Sequence, residues 1–267
     1  MTTLTARVMP LPFVSSAGWR LIERNFLAYR RGWIFFVSGF FEPVFYLLSI
    51  GIGVGKLVGH FTLANGSTVT YAQFVAPAML ATSAMNGAIF DATYNIFFKM
   101  KFMRLYDAVL ATPMRPSDVA AGEVGWALLR GACYSTMFIV VMAAMGLVVS
   151  SWAVLALPVA VLIGFAFAGA GMALTTWMRS WQDFEFVQLA ILPMFLFSAT
   201  FYPLSVYPDA VQWFVRITPL YQAVDLLRSL TLGSVSAQLL VPAAYLAVLG
   251  AAGMYAASRR LGRLLLR

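Results

Sequence analysis

Apolar residues in this chain are grouped into long segments that are separated by polar stretches. Six segments have room for about 20 residues, the length that an α-helix needs to cross ~30 Å of hydrocarbon. Their bounds are Trp33–Val54, Ala72–Phe98, Val119–Val149, Trp152–Met178, Phe184–Tyr202 and Leu239–Ala257. The second and third exceed the thickness of a bilayer, so we expect them to protrude or tilt. The pattern predicts an all-α integral membrane protein with six transmembrane helices.

Two segments of mixed polarity accompany these spans. Before the first span, Trp19, Ile22, Phe26 and Tyr29 recur at helical spacing with arginines between them. This pattern predicts an amphipathic helix that lies along the cytoplasmic interface, with a cytoplasmic extension of the first span as the alternative. Residues 203–238 contain three prolines and keep helical spacing. They predict an outer helical hairpin between spans five and six, either resting on the membrane or entering it as a re-entrant element.

Composition and charge placement support a membrane protein. Hydrophobic residues make up 61% of the 267 residues and charged residues only 10%, against roughly 25% in a soluble domain. Fifteen of the 18 Lys and Arg residues fall on one side of the predicted spans, and the other side has Lys56, Arg216 and Arg228. Because basic residues favour the cytoplasmic side, both termini are predicted to be cytoplasmic. Residues 1–18 show no cleavable signal-peptide pattern, so we expect the N-terminus to be retained.

The predicted organisation is a single membrane domain with short extensions. Residues 1–32 form a cytoplasmic N-terminus with the interfacial helix, and residues 259–267 form a basic cytoplasmic tail. The six-helix domain is 33–258, with a cytoplasmic loop at 99–118 and the external helices at 203–238.

The side chains that catalysis usually requires are scarce. Cys133 is the single cysteine and His60 the single histidine, so neither a disulfide nor a His-based catalytic site or metal cluster is expected. The stretch "GIGVGKLVG" (51–59) resembles a phosphate-binding loop, but Ile50 replaces its first glycine and Leu57 its hydroxyl residue. We therefore predict a chain that is not an enzyme and has no cofactor. Energy for transport would come from another chain or from an ion gradient.

Glu42 is the most unusual ionisable residue in the predicted spans. It follows about ten residues of the first span and precedes Pro43. A charge near the bilayer centre costs ~2.5–3.5 kcal/mol, so Glu42 should face the bundle interior, water or a partner. It is a candidate for the substrate path or gating, or for a structural hydrogen bond at a proline kink. Asp91, Glu123, Asp183 and Glu185 are further candidates, and the positions of Asp91 and Asp183 near the interfaces favour structural roles.

Aromatic residues crowd the first and fifth spans. Beside Glu42, the candidates for a substrate path are Phe41, Phe45, Phe197, Phe201 and Tyr202. Aromatic rings can stack on sugars or contact acyl chains, and ordinary packing and lipid contact are the alternative.

The polar stretch after the second span predicts a short cytoplasmic helix. Lys99–Ala111 has helical spacing, and Thr112 before Pro113 should end the helix. Pro116, Ser117 and Asp118 predict a turn and an N-cap for the third span. The alternative is an ordinary loop that is polar because of its position.

Three stretches carry a family resemblance that covers nearly the whole chain. They are "FFEPVFYLLSIGIGVG" (40–55), "YDAVLATPMRPSDVAAGEVGWALLRG" (106–131) and "LPMFLFSATFYPLSVYPDAVQWFVRITPLYQAVDLLRSLTLG" (192–233). With the six-span pattern, they resemble the ABC-2 family of bacterial ABC exporter permeases, in particular the permeases grouped with the nodulation lipo-oligosaccharide exporter.

The resemblance implies a half-transporter in the bacterial cell membrane. Two permeases, identical or closely related, would pair and bind two ATPase subunits, which would hold the ATP and Mg. Substrates in the family run from lipid-linked saccharides and glycolipids to hydrophobic drugs. The short cytoplasmic helix would couple to the ATPase through Arg104, Leu105, Tyr106, Asp107, Leu110, Thr112 and Pro113.

Two alternatives belong to other classes. A gradient-driven secondary carrier would be expected to show internal repeats and paired intramembrane charges, which the sequence does not show. A membrane-embedded lipid-modifying enzyme would need a nucleophile with a base, or a metal cluster.

Overall fold

The structure, a computed structural model, describes residues 16–30, 41–62 and 68–265. Within these ranges the chain is helical apart from one antiparallel pair of strands, β1 (His60–Thr62) and β2 (Thr68–Thr70), with Phe61 opposite Val69. Residues 33–40 of the predicted first span, and Arg7, Arg31 and Arg267 of the predicted cytoplasmic basic residues, lie outside the described residues.

The first half of the chain contains seven helices in the described ranges. They are α1 (Ser16–Arg30), α2 (Phe41–Leu48), α3 (Gly55–Val58), α4 (Tyr71–Phe90), α5 (Ile96–Lys101), α6 (Leu105–Leu110) and α7 (Pro116–Ala144). Two π-helical segments, Ser49–Val54 and Asp91–Asn95, join α2 to α3 and α4 to α5. Thr70 begins α4 with a capping box, in which its hydroxyl accepts from Gln73 N at 3.2 Å and its own N–H donates to Gln73 Oε1 at 2.9 Å.

The second half contains five further α-helices. They are α8 (Ala156–Thr175), α9 (Phe184–Leu196), α10 (Asp209–Ile217), α11 (Pro219–Leu232) and α12 (Leu240–Leu265). Short 3-10 turns at Ser151–Leu155, Trp181–Asp183, Leu204–Val206 and Ala237–Leu239 precede α8, α9, α10 and α12.

Three helices in the described part are long and apolar enough to cross a membrane, namely Pro116–Ala144, Ser151–Thr175 and Ala237–Leu264. They correspond to the predicted third, fourth and sixth spans. The predicted second span is helical but changes to a π-helix near its end. The predicted fifth helix is too long, because α9 ends at Leu196 after 13 residues. Pro193 interrupts its last turns, and Ala199 takes a positive φ of 54°.

Small residues bring the central helices close together. A Cβ added at Gly169 of α8 would lie 2.5 Å from the Gly250 carbonyl oxygen of α12, so these backbones are in contact. Such close approach through glycine is typical of packing between membrane helices. α1 meets α7 in the same way, since a Cβ at Gly122 would lie 2.8 Å from the Leu21 Cβ.

The buried face of α1 differs from the predicted apolar stripe. Ile22 is buried as expected, but its buried neighbours are Leu21 and Asn25, which face α7. Trp19 and Phe26 are exposed. The helix therefore has one face against the protein and a second, aromatic face open to the surroundings, and its position at a membrane interface stays a prediction.

The segment between α9 and α12 is packed into the bundle. Leu220, Val224 and Leu227 of α11 are fully buried, and α11 contacts α4, α8 and α12. At its far end, the Thr231 carbonyl accepts hydrogen bonds from Val149 N and Ser150 N, at 3.2 and 3.1 Å. α11 therefore forms part of the core, whereas α10 buries only Val215.

Candidate coupling site

The polar segment between α5 and α7 folds into a break, a short helix and a turn. The predicted single helix over 99–111 is wrong, because α5 ends at Lys101 and α6 begins at Leu105. Arg104 lies between them with a positive φ of 46°, a conformation that non-glycine residues seldom adopt. The break changes the direction of the chain, and α6 then packs with Tyr106 and Leu110 in the core.

The start of α7 also differs from the prediction. The N-cap is Arg115, and Pro116 takes the first helical position, where its missing N–H costs nothing. Asp118, predicted as part of the cap, acts from the third helical position, where its Oδ2 accepts from the Arg115 N–H at 2.9 Å.

The structure divides the predicted coupling residues into two groups. Tyr106 and Leu110 are buried, and Leu105 is half-buried. Their side chains therefore fix α6 to the bundle, and the prediction that Tyr106 and Leu110 present their side chains to a partner does not agree with this burial. The exposed members are Arg104, Asp107, Thr112 and Pro113. We call these four residues the coupling surface.

Beneath α6 lies a group of buried polar side chains, Asn25, Lys99, Tyr106 and Glu123, which we call the inner polar cluster. Lys99 Nζ lies 2.6 Å from Glu123 Oε2 and donates to Asn25 Oδ1 at 3.1 Å. Asn25 Nδ2 donates to the same Glu123 oxygen at 3.2 Å. The cluster thus joins α1, α5, α6 and α7 at the predicted cytoplasmic end.

The side chains of the inner polar cluster are almost completely buried from solvent. Asn25, Lys99 and Glu123 are 2%, 7% and 3% exposed, and a buried ion pair is tolerated only where further hydrogen bonds complete it. Glu123 Oε1 and the Tyr106 hydroxyl have no well-aligned partner among the described residues. Burial, followed by the negative charge of Glu123, raises the pKa of Tyr106 well above its usual value. Tyr106 therefore remains a neutral phenol at any physiological pH.

A second buried ion pair lies next to the first. Arg130 of α7 donates to Asp91 at the end of α4, and its Nη1 donates to the Tyr29 hydroxyl at 3.1 Å. The Arg130 guanidinium also lies 5.4 Å from the centre of the Tyr29 ring. The carboxylate of Asp91 thus has the structural role that its sequence position favoured.

Sequence reasoning missed the pairing of these four charges, although the spacing contains a signal. Each segment places an acidic residue about two helical turns before a basic one, Asp91 before Lys99 and Glu123 before Arg130. When two such helices run antiparallel, each acidic residue meets the basic residue of the other helix. Asn25 and Tyr29 are four residues apart on α1. Asn25 bonds to the Lys99–Glu123 pair and Tyr29 to the Asp91–Arg130 pair.

The predicted substrate-path residues form two separate aromatic groups. The rings of Phe41 and Phe45 stack with centroids 6.1 Å apart, and both are more than half exposed. Glu42 lies between them in α2, and its side chain is outside the described part. In the other group, Tyr202 lies 5.0 Å and Phe197 6.2 Å from the ring of Tyr207.

A small pocket lies beside residues of both aromatic segments, Tyr46 of α2 and Phe195 of α9. Phe201 packs edge-on against Phe195, with centroids 5.3 Å apart. Phe195 also lines a pocket of about 170 Å³ together with Tyr46, Thr82 and Asn86. The structure thus brings the aromatic first and fifth segments to one pocket. The role of the predicted residues in a substrate path stays a prediction.

Arg228, counted in the sequence as an external charge, is half-buried in the second half of α11. Its Nη2 donates to the Ala199 carbonyl at 2.8 Å and its Nε to the Phe74 carbonyl at 3.2 Å. The guanidinium lies 3.7 Å from the centre of the Phe74 ring. This cation ties α11 to α4 and to the chain that follows α9.

Long apolar helices and buried, paired charges at one end of the bundle define an integral membrane protein of the helical class. A family model described as ABC-2 type transporter matches residues 17–232. The chain belongs to this family, and it is a membrane transport permease.

Named relatives agree with this assignment. Nodulation protein J of Rhizobium meliloti (strain 1021) is 35% identical over 224 residues, which are 81% of this chain and 83% of the relative. Nodulation protein J of Rhizobium leguminosarum bv. trifolii is 36% identical over 221 residues, 81% and 80% of the two chains. The inner membrane transport permease YadH of Escherichia coli (strain K12) is 25% identical over 180 residues, 67% and 69% of the two chains.

Proposed function

We propose that this chain is the permease subunit of an ATP-driven exporter, and that the coupling surface binds an ABC ATPase subunit. The observation that carries the proposal is the attachment of α6. Its exposed residues can meet a partner, while Tyr106 on its other side reaches the inner polar cluster. A displacement of α6 is therefore transmitted to α1, α5 and α7 by buried side chains and not through a loose loop. The chain would work as a pair of permeases with two ATPase subunits.

The substrate class that fits best is an amphipathic molecule, such as a lipid-linked saccharide, a glycolipid or a hydrophobic drug. Exposed aromatic rings at Phe41, Phe45 and Tyr202 offer faces for sugars and acyl chains. Similarity to proteins named for nodulation and the resemblance to the lipo-oligosaccharide exporter group favour a glycolipid. Glu42, Phe197 and Phe201 complete the proposed path.

The hairpin of α10 and α11 is proposed to be re-entrant from the outer side. Pro219 at its apex lines the same groove as Met194 and Leu249. Leu249 lies nine residues after Leu240, the start of α12, which corresponds to roughly 14 Å along a helix. An apex at this level lies about halfway across a ~30 Å membrane core. Burial of α11 against α4 and α8 would satisfy the requirement that backbone at this depth be covered by protein.

The proposal is tested by reversing one charge on the coupling surface. We expect Asp107→Arg to leave the permease inserted in the membrane but to weaken its co-purification with the ABC ATPase encoded nearest its gene, and to reduce transport. Asp209→Arg is the matched control, since Asp209 is also exposed but lies on the predicted outer side.

A second variant distinguishes the contribution of Asp107 alone from that of all exposed positions of α6. Replacing only the exposed positions between 104 and 111 with neutral helix-forming residues keeps the anchors Tyr106 and Leu110. If this variant still binds the ATPase and transports like the wild type, α6 is not the coupling element. If Asp107→Arg alone is silent, only the contact of Asp107 is excluded.

A further inference from the structure

An open groove of about 610 Å³ runs along the bundle between α8 and α9. Its volume lies within the ~300–1,000 Å³ of ordinary ligand sites. One end is formed by the turn between the two helices, with Trp177, Arg179 and Asp183. The other end reaches Met194 and Leu249. None of the coupling surface or inner polar cluster lines this groove.

The groove is apolar along its length and charged at one end only. Leu174, Val187, Ala190 and Ile191 are among the residues that line its middle. At the charged end, the carboxylate of Asp183 is already bound by backbone N–H groups. Its Oδ2 accepts hydrogen bonds from Arg179 N at 2.6 Å and from Ser180 N at 3.2 Å. These hydrogen bonds hold the pKa of Asp183 below its usual value. The exposed Arg179 guanidinium forms no side-chain hydrogen bond or ion pair within the described ranges.

The dimensions of the groove match one membrane leaflet. From Asp183 to Met194 the chain rises roughly 16 Å along α9, about half of a ~30 Å hydrocarbon core. The charged end belongs to the predicted cytoplasmic side, where the loop after α8 lies. Trp177 and Trp181 beside it are both at least half exposed, and tryptophan is enriched at the level of lipid headgroups.

We propose that this groove binds one acyl chain of an anionic phospholipid from the cytoplasmic leaflet, with the headgroup phosphate at Arg179. The apolar length would hold the acyl chain. At the charged end, the Arg179 guanidinium would bind a negatively charged headgroup, since the Asp183 carboxylate is already bound by backbone N–H groups. Arg260 adds positive charge close by, since its guanidinium lies 4.3 Å from the centre of the Trp177 ring. The site would bind lipid in the absence of an ATPase and of a transported substrate, so it stands apart from the exporter proposal.

The test uses the purified full-length permease without its ATPase, stripped of lipid and titrated with phosphatidylglycerol or phosphatidylcholine of the same acyl chains. Native mass spectrometry counts the bound lipids. We expect phosphatidylglycerol to bind about fivefold more tightly, the ratio given by ~1 kcal/mol per basic residue near a membrane surface. Arg179→Gln should abolish this preference, while Arg259→Gln, an exposed arginine on α12, should retain it.

Filling the groove tests the position of the acyl chain. Ala190→Trp should lower the binding of both lipids, because it places a large ring in the groove. Leu189→Trp is the control, since Leu189 is 68% exposed and does not line the groove. In the unmodified protein, a phospholipid with a photoreactive acyl chain should crosslink to Val187, Ile191 or Met194, which provides a measurement that no folding defect can affect.

Three results would overturn the proposal. Arg179→Gln could keep the full phosphatidylglycerol preference, or Leu189→Trp could reduce binding as much as Ala190→Trp, or the crosslinks could all fall on residues that do not line the groove. A second copy of the chain is the competing occupant. Efficient disulfide formation between protomers carrying Ala190→Cys, in a background where the exposed Cys133 is replaced by serine, would assign the groove to that copy.

Discussion

Removing one partner of the inner polar cluster should destabilise the protein strongly. In Lys99→Met, the carboxylate of Glu123 loses the ammonium at 2.6 Å, its countercharge, and keeps neutral partners such as Asn25 Nδ2 at 3.2 Å. Glu123→Gln leaves the Lys99 ammonium buried without a countercharge, with neutral oxygens such as Asn25 Oδ1 as its acceptors. Breaking a buried ion pair in this way costs about 3–5 kcal/mol, because an uncompensated charge remains out of water.

The double variant Lys99→Met with Glu123→Gln should be more stable than either single variant. It removes both charges, and the amide introduced by Glu123→Gln can still exchange a hydrogen bond with Asn25. Replacing a whole buried pair with neutral groups is often neutral for stability. The effects of two substitutions on stability do not add when the two residues interact. A double variant that is more stable than either single variant therefore identifies direct contact between Lys99 and Glu123.

The assay is unfolding of the purified permease in mixed micelles, followed by tryptophan fluorescence. Trp126 is a suitable reporter, since its ring lies 5.3 Å from that of Tyr29 on α1. Lys101→Met is the matched control on α5, because Lys101 is exposed and surface substitutions usually change stability by about 0.5 kcal/mol or less. Limited proteolysis of 102–113 should also accelerate in the single variants as α6 loosens. The reasoning is refuted if the double variant loses as much free energy of unfolding as the two single variants together. It is also refuted if Lys99→Met lowers the free energy of unfolding no more than Lys101→Met does.

Further expectations concern topology, the predicted path and the hairpin. A reporter fused at Arg115 should be cytoplasmic and one at Asp209 external, because basic residues are concentrated on one side of the spans; an external signal at Arg115 would reverse the topology. Glu42→Gln should insert normally and reduce transport, as it keeps the shape and removes the charge; unchanged transport at normal expression would assign Glu42 a structural role. In micelle unfolding, Arg228→Met should lower the free energy of unfolding by about 1.5–3 kcal/mol for each charged hydrogen bond lost. The exposed Arg259→Met should have little effect, and equal stabilities of the two variants would contradict the anchoring role of Arg228.

The sequence was sufficient for features that depend on local pattern. Hydropathy located the long helices α7, α8 and α12, since their apolar residues are continuous. Helical spacing located α1 and the two helices of the hairpin. Proline positions located the start of α7 to within three residues, since the span was predicted from Val119 and the helix begins at Pro116. The family and the transport class followed from residues 40–55, 106–131 and 192–233.

Features that depend on packing were not accessible in the same way. The break at Arg104 could not be predicted from the sequence, because no glycine is present there to favour a positive φ. The burial of Tyr106 explains why the chain turns at this point. α9 ends at Leu196, and three residues later the Ala199 carbonyl accepts a hydrogen bond from Arg228, a long-range contact that local pattern does not reveal. Arg228 was counted as an external charge, since a sequence count cannot distinguish a solvated arginine from one that binds two backbone carbonyls.

Buried ion pairs and hydrogen bonds join one part of the bundle, whereas α9 has few buried contacts with it. Asp91, Lys99, Glu123 and Arg130 join the ends of α4–α5 and α7, and Asn25 and Tyr29 add α1 to the same body. α6 is fixed to this body through Tyr106, so the coupling surface moves with it. On α9, by contrast, only Phe184 and Val187 are buried, and Leu189 and Leu192 are 68% and 60% exposed. In the proposed exporter, a displacement at α6 would reach this joined unit first, and the boundary that would yield with the least loss of buried contact is the one between this unit and α9. The pocket with Tyr46 and Phe195 lies at that boundary, which is where the proposed path needs an opening.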